Sequence, residues 1–162
     1  QRKLTIASVK LRPQNSASAA ESVSRFFATI EQRVPKNADL ILLPEGITVV
    51  GTSKTYADVA ETIPGPTTTR LAELARTRRA YVAAGLYERE GRTLYNTSVL
   101  LDRAGNLVGK YRKVYLPREE VERGLTPGLS FPTFDTEFGR VGMMICYDVF
   151  FSDPARALAQ QG

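Results

Sequence analysis

The first forty or so residues change their hydrophobic period twice, and nothing else in the chain restricts the fold as much. Leu4, Ile6, Val9 and Leu11 mark a strand-like segment from Leu4 to Leu11, closed by the turn residues Pro13-Gln14-Asn15. Ser18 and Glu21 then stand at capping-box spacing, and Ala20, Val23, Phe26, Phe27, Ile30 and Val34 recur at threes and fours up to Pro35. Leu40-Ile41-Leu42-Leu43 follows as an unbroken apolar run, the pattern of a strand buried on both faces of a sheet. Strand, helix and strand at this spacing predict a βαβ unit with two parallel strands.

The second strand stops at Pro44-Glu45-Gly46, which leaves Glu45 at its carboxyl end, where open α/β sheets bind ligands. Residues 51–62 are polar and read as a loop with a short helix. Pro64-Gly65-Pro66 breaks the chain, Thr67 or Thr68 is placed to cap the next helix, and Leu71, Leu74 and Ala75 give that helix a buried stripe. Tyr81 to Tyr87, Leu94 to Leu101 and Leu107 to Leu116 read as three strands joined by turns at 88–92 and 102–106, an antiparallel meander added to the parallel start. Lys113 falls near the end of the last of these strands. Residues 117–128 form a charged loop containing Glu119, Glu120 and Glu122. Phe131 to Phe134 predicts a short strand and Val141 to Cys146 a buried one, after which Ser152-Asp153-Pro154 opens a helix. The expectation is one α/β domain over residues 1–162 with a mixed sheet.

Composition matters mainly for what it removes. The 162 residues include no histidine and one cysteine, Cys146. A histidine-dependent nucleophile relay cannot be built within the chain, nor can a histidine-ligated metal site or an internal disulfide. A reducing compartment is compatible with that cysteine usage, and the cytoplasm is the expected location. The N-terminus lacks the apolar core of a signal peptide, no run approaches a membrane span, and no membrane partner is expected. Net charge is +5. The clusters Arg76/Arg78/Arg79 and Lys110/Arg112/Lys113 read as solvated faces, and without a recognised module they predict no nucleic-acid partner.

Cys146 ends an apolar run where the sequence turns polar, so it is either a buried thiol or a nucleophile at a strand-to-helix turn. Without histidine its base must be a carboxylate, a lysine or a histidine of another chain. Glu45, Lys113 and Cys146 all fall at strand ends or beside them. Together they could carry out acyl transfer: a carboxylate takes the thiol proton, an ammonium favours the thiolate and holds the oxyanion, and the Tyr147 backbone N–H adds a second donor. Spacing alone does not show that they meet. A solvated loop glutamate and a strand-end lysine are the competing readings, and a non-catalytic binding module is the rival function.

Three ordered segments, Leu43-Pro44-Glu45, Tyr111-Arg112-Lys113-Val114-Tyr115-Leu116 and Gly142-Met143-Met144-Ile145-Cys146-Tyr147-Asp148, resemble the signatures of the nitrilase or carbon–nitrogen hydrolase superfamily. Thr126-Pro127-Gly128 and Phe134-Asp135-Thr136 match the filling between them. The resemblance implies an α-β-β-α sandwich that pairs into a homo-oligomer. It also implies hydrolysis of a non-peptide C–N bond of a small amide or N-carbamoyl compound without metal or organic cofactor; nitrile hydrolysis and amide-forming acyl transfer use the same residues. It assigns Glu45 as general base, Lys113 as oxyanion-stabilising lysine, Cys146 as nucleophile, and Glu120, or alternatively Glu119, as a second glutamate. Tyr115 stands where the family often has histidine. Family domains run well past the cysteine, so a C-terminally incomplete sandwich is expected here.

Overall fold

The computed structural model describes residues 3–162. Its centre is a five-stranded sheet in the order β1-β2-β3-β4-β5, built from Ile6–Ser8, Leu40–Leu42, Tyr81–Glu90, Thr93–Leu101 and Leu107–Arg112. β1, β2 and β3 are parallel, while β3, β4 and β5 form the antiparallel meander, so the sheet is mixed. α1 (Ala19–Arg33) starts at Ser18, whose side chain accepts from Glu21 N at 3.2 Å. α3 (Pro66–Arg78) is capped differently from expectation. Gly65 is the cap residue, Pro66 opens the helix, and the Thr68 hydroxyl accepts from Gly65 N at 2.6 Å. A short α2 (Tyr56–Val59) sits in the intervening loop.

Strand alternation divides the molecule into two sides. Ile41, Val82, Ala84, Leu86, Val99 and Leu101 face α1 and α3 and form the larger core with Val23, Phe26, Ile30, Leu71 and Ala75. On the other side Tyr81, Ala83, Leu100 and Tyr111 pack with Met143, Ile145, Phe134 and Phe138. There a hairpin of β6 (Thr133–Thr136) and β7 (Gly139–Gly142) lies over the sheet. It sits so close that a Cβ on Gly109 would be 2.1 Å from the Phe134 ring. α5 (Ser152–Ala159) covers the hairpin, with Leu158 against Gly142 and the Gln161 amide donating to Phe131 O at 2.7 Å. The layers therefore run helices, sheet, hairpin, helix, an α-β-β-α order.

Several boundaries move. β2 is not buried throughout: Leu42 is 41 % exposed on the hairpin side, as is Ile6 of β1, which pairs with Leu40, at 58 %. β5 ends at Arg112, and the charged loop contains a helix, α4 (Arg118–Glu122). The strand expected over Val141 to Cys146 stops at Gly142, and Cys146 opens a 3₁₀ helix, Cys146–Phe150. The cause is local: Ile145 N donates to the Asp148 carboxylate at 2.9 Å rather than to a strand. The arginine cluster is a solvated face only in part: Arg76 and Arg79 are exposed. Arg78 is buried and donates to Ile30 O, Val34 O and Pro35 O, joining α3 to the end of α1.

Candidate active site

The hairpin side of the sheet carries the site. Past β2 the chain stays paired to β3 through Leu43 N–Ala83 O (2.8 Å) and Gly85 N–Pro44 O (3.1 Å). The Pro44-Glu45 backbone lies so close to β3 that a Cβ at Gly85 would be 2.6 Å from the Glu45 Cα. Only glycine permits that approach. On β4, Asn96 points to the same side as Tyr87, its directly paired residue on β3. Lys113 N donates to Asn96 O at 2.8 Å, so pairing persists one residue beyond β5 and sets Lys113 on the face of Tyr111. Glu120 reaches in from α4.

These four side chains converge. Lys113 Nζ lies 3.0 Å from Glu45 Oε1, with which it hydrogen-bonds, and 3.0 Å from Glu120 Oε2. The Glu120 contact is an ion pair rather than an aligned hydrogen bond, since that oxygen has no hydrogen-bond partner of good angle. Asn96 Nδ2 donates to Glu45 Oε1 at 2.6 Å and to Glu120 Oε1 at 2.8 Å. Burial of Lys113, 1 % exposed, lowers its pKa, but the ion pair with Glu120 and the hydrogen bond that Lys113 donates to Glu45 outweigh desolvation and raise it. Lys113 is a fixed ammonium. Burial pushes the Glu120 carboxyl above its ordinary value against the pull of Lys113 and Asn96. Glu119, by contrast, is exposed and pairs with Arg123 at 3.0 Å, outside this cluster.

Cys146 is exposed and lines the same cleft as Glu45, whose charge acts on the thiol. Its φ of +44° is in the left-handed region, an unfavourable conformation for a residue with a Cβ, which the surrounding turn must hold. Desolvation and the Glu45 charge raise the thiol pKa, and Lys113 offsets them only in part. The resting group is a protonated thiol on the cleft that Glu45 also lines. Glu45 and Cys146 open onto a cleft of about 400 Å³ that is also lined by Lys10, Leu42, Ser98 and Met144. Tyr147 follows the thiol in the 3₁₀ helix. Tyr115 stacks on Phe151 with ring centroids 4.0 Å apart and donates to Asp153 at 3.0 Å, away from the cluster.

Sequence reasoning missed Gly85, Asn96 and Asp148. An amide in the middle of Leu94-Tyr95-Asn96-Thr97-Ser98-Val99 was the available signal, because Asn is poorly suited to a strand interior unless it has a partner. Among the described residues no group of His, Cys, Asp and Glu is arranged to hold a metal ion, and no helix is long and apolar enough to cross a membrane.

Helices on one side of a mixed sheet and a hairpin with its helix on the other define an α-β-β-α sandwich, with Glu45, Lys113 and Cys146 near the strand ends. Residues 5–162 match the carbon–nitrogen hydrolase family model, and the chain belongs to that family. It is 35 % identical over 158 residues to omega-amidase NIT2 of Homo sapiens, covering 92 % of this chain and 57 % of that protein. It is 38 % identical over 157 residues to a nitrilase of Pyrococcus abyssi, covering 94 % and 57 %. The chain thus spans little more than half the length of these relatives. Among solved structures, an amidase from Nesterenkonia sp. superposes with a TM-score of 0.77 at 22 % identity, over 98 % of this chain and 61 % of the other. That likeness concerns the fold.

Proposed function

We propose that the protein hydrolyses the C–N bond of a small amide or N-carbamoyl compound through a thioester on Cys146. One observation carries the reading: the Glu45 carboxylate, held by the buried Lys113 ammonium and the Asn96 amide, lines a small-molecule-sized cleft together with Cys146.

The Cys146 proton passes to Glu45 as sulfur bonds to the substrate carbonyl carbon. The carbonyl electron pair moves to oxygen, where Lys113 and the Tyr147 N–H hold the resulting charge. Glu45 returns the proton to nitrogen, the C–N bond breaks, and ammonia or an amine leaves. Water then gives a proton to Glu45 and attacks the thioester; the S–C bond breaks, and sulfur recovers the proton as the acid departs. Because Lys113 is charged throughout, it contributes electrostatics and not proton transfer. Glu120 and Asn96 hold it and Glu45 in register.

The relatives named amidase favour an amide substrate, and the relative named nitrilase makes a nitrile the second candidate. Release of ammonia or amine from a panel of small amides, carbamoyl compounds and nitriles tests the reading on the intact protein. Turnover by wild type and none by Cys146→Ala is expected. No turnover of any class by folded, intact protein would contradict it.

A further inference from the structure

One fully buried carboxylate beside the site takes no part in the steps above. Asp148 Oδ2 accepts from Ile145 N at 2.9 Å and from the Tyr111 hydroxyl at 2.7 Å, and Oδ1 accepts from Tyr115 N at 2.9 Å. Among the described ion pairs no lysine or arginine reaches it, so three neutral donors offset the burial of a charge, a costly arrangement.

Its partners fall into two sets. Asp148 N donates back to Ile145 O at 3.1 Å, so Cys146 and Tyr147 are enclosed by a reciprocal pair of bonds between residues 145 and 148. That closes the turn around the left-handed φ of Cys146. The second set brackets Lys113. Tyr111 lies two residues before it and Tyr115 two after, and the Tyr111 hydroxyl also accepts from Val114 N at 3.3 Å.

We propose that Asp148 is a positioning residue that fixes the Cys146 thiol relative to Lys113, by binding the turn that carries one to the segment that carries the other. The proposal builds on the thioester reading above and adds the device that sets its geometry. Glu45 and Lys113 meet through the sheet, but Cys146 follows a hairpin from the opposite layer. A nucleophile misplaced by about 1 Å can lose on the order of 10²-fold in rate. Asp148 joins the layers at the point where that error would arise.

Tyr111→Phe removes the link to the lysine segment while leaving the Asp148–Ile145 bonds, and Asp148→Asn disturbs both sets. Arg78→Lys, remote from the site and weakening the bonds to the end of α1, serves as a destabilised control. Two readouts apply to the intact protein: kcat and KM on an amide substrate, and the pH profile of Cys146 alkylation by iodoacetamide, read on its peptide by mass spectrometry. The titratable groups facing the thiol are Glu45, Lys113 and Glu120. In wild type, burial and Glu45 hold the alkylation midpoint above an ordinary thiol's. Tyr111→Phe is expected to lower kcat by about 10- to 100-fold with KM within about twofold. Its midpoint should fall toward about 8.5 as the exposed thiol moves away from the Glu45 charge. If Tyr111→Phe behaves like Arg78→Lys, with a lower melting temperature but unchanged kcat and midpoint, the proposal is overturned. Should Asp148→Asn fail to fold, Tyr111→Phe decides the matter alone. A midpoint shift in a protein that hydrolyses nothing would uphold the positioning role and reject the thioester reading.

Discussion

Two carboxylates on the same sheet are surrounded by cations, and only one sits in a site. Asn96 and Lys113 point to the hairpin side, where they hold Glu45 and Glu120. Thr97 and Arg112, one residue earlier or later on the same strands, point to the other side with Lys110 and hold Glu88. Glu88 is saturated. Its Oε1 accepts from Arg112 Nη2 at 2.6 Å and from Lys110, and its Oε2 from Arg112 Nε at 2.9 Å and Thr97 at 2.8 Å. Those hydrogen bonds outweigh desolvation and lower its pKa to about 2. A cleft of about 360 Å³ borders this cluster as well, lined by Tyr95, Lys110, Arg112 and Leu129 but by no cysteine. The catalytic candidate differs in being unfinished. Glu45 shares a cleft with a thiol, and Asn96 Oδ1 and Glu120 Oε2 lack hydrogen-bond partners. Saturation makes a carboxylate a strut, whereas residual capacity beside a thiol leaves it free to accept a proton.

The contrast can be broken most severely at Lys113. Lys113→Met should lower kcat by about 10³-fold or more, because it removes an oxyanion donor and sets Glu45 against Glu120 without a cation. Glu45→Gln, measured in the same assay, should cost about 10²–10⁴-fold with the melting temperature little changed, since the amide keeps the shape but cannot take the proton. Gly85→Ala adds a Cβ that the Glu45 backbone must avoid, and a drop in kcat of about 10²-fold is expected from displacement alone.

Glu88→Gln should do the reverse. Denaturant unfolding is expected to show a loss of about 2–3 kcal/mol, less than a fully buried pair would give because Lys110 and Arg112 are partly exposed, with kcat per folded molecule unchanged. The pH dependence has a definite sign. A folded pKa depressed to about 2 means Glu88 stabilises fully above its unfolded value near 4.3 and loses that contribution as pH falls toward 2. In Glu88→Gln that part of the stability–pH curve should flatten. The smallest effect is expected for Arg112→Lys, about 1 kcal/mol, since lysine keeps charge but loses both the fork on Glu88 and the stacking over Tyr95 at 3.8 Å.

Periodicity made the parallel start and the meander legible, because each depends on residues near one another in sequence. Glu45, Lys113 and Cys146 stood out as strand-end residues for the same reason. Their convergence did not, since it depends on Gly85 admitting the Glu45 backbone and on Asp148 joining two layers. Which of Glu119 and Glu120 faces the lysine depends on helix rotation, and α4 buries Glu120 beside Lys113 while Glu119 stays exposed. The strand drawn through Cys146 failed because hydropathy cannot register that Asp148, three residues on, takes the Ile145 N–H. Arg78 was misread for a related reason: α1 carbonyls far away in sequence are its partners.

The most direct test of the distinction between the two carboxylates is a rapid-quench measurement of acyl adduct on the Cys146 peptide, with a turned-over amide as substrate. The adduct should form in wild type and, at an undiminished rate, in Glu88→Gln. It should form at least about 10²-fold more slowly in Glu45→Gln and not at all in Cys146→Ala. Equal acylation rates in wild type and Glu45→Gln, or an adduct carried by any residue other than Cys146, would contradict the account.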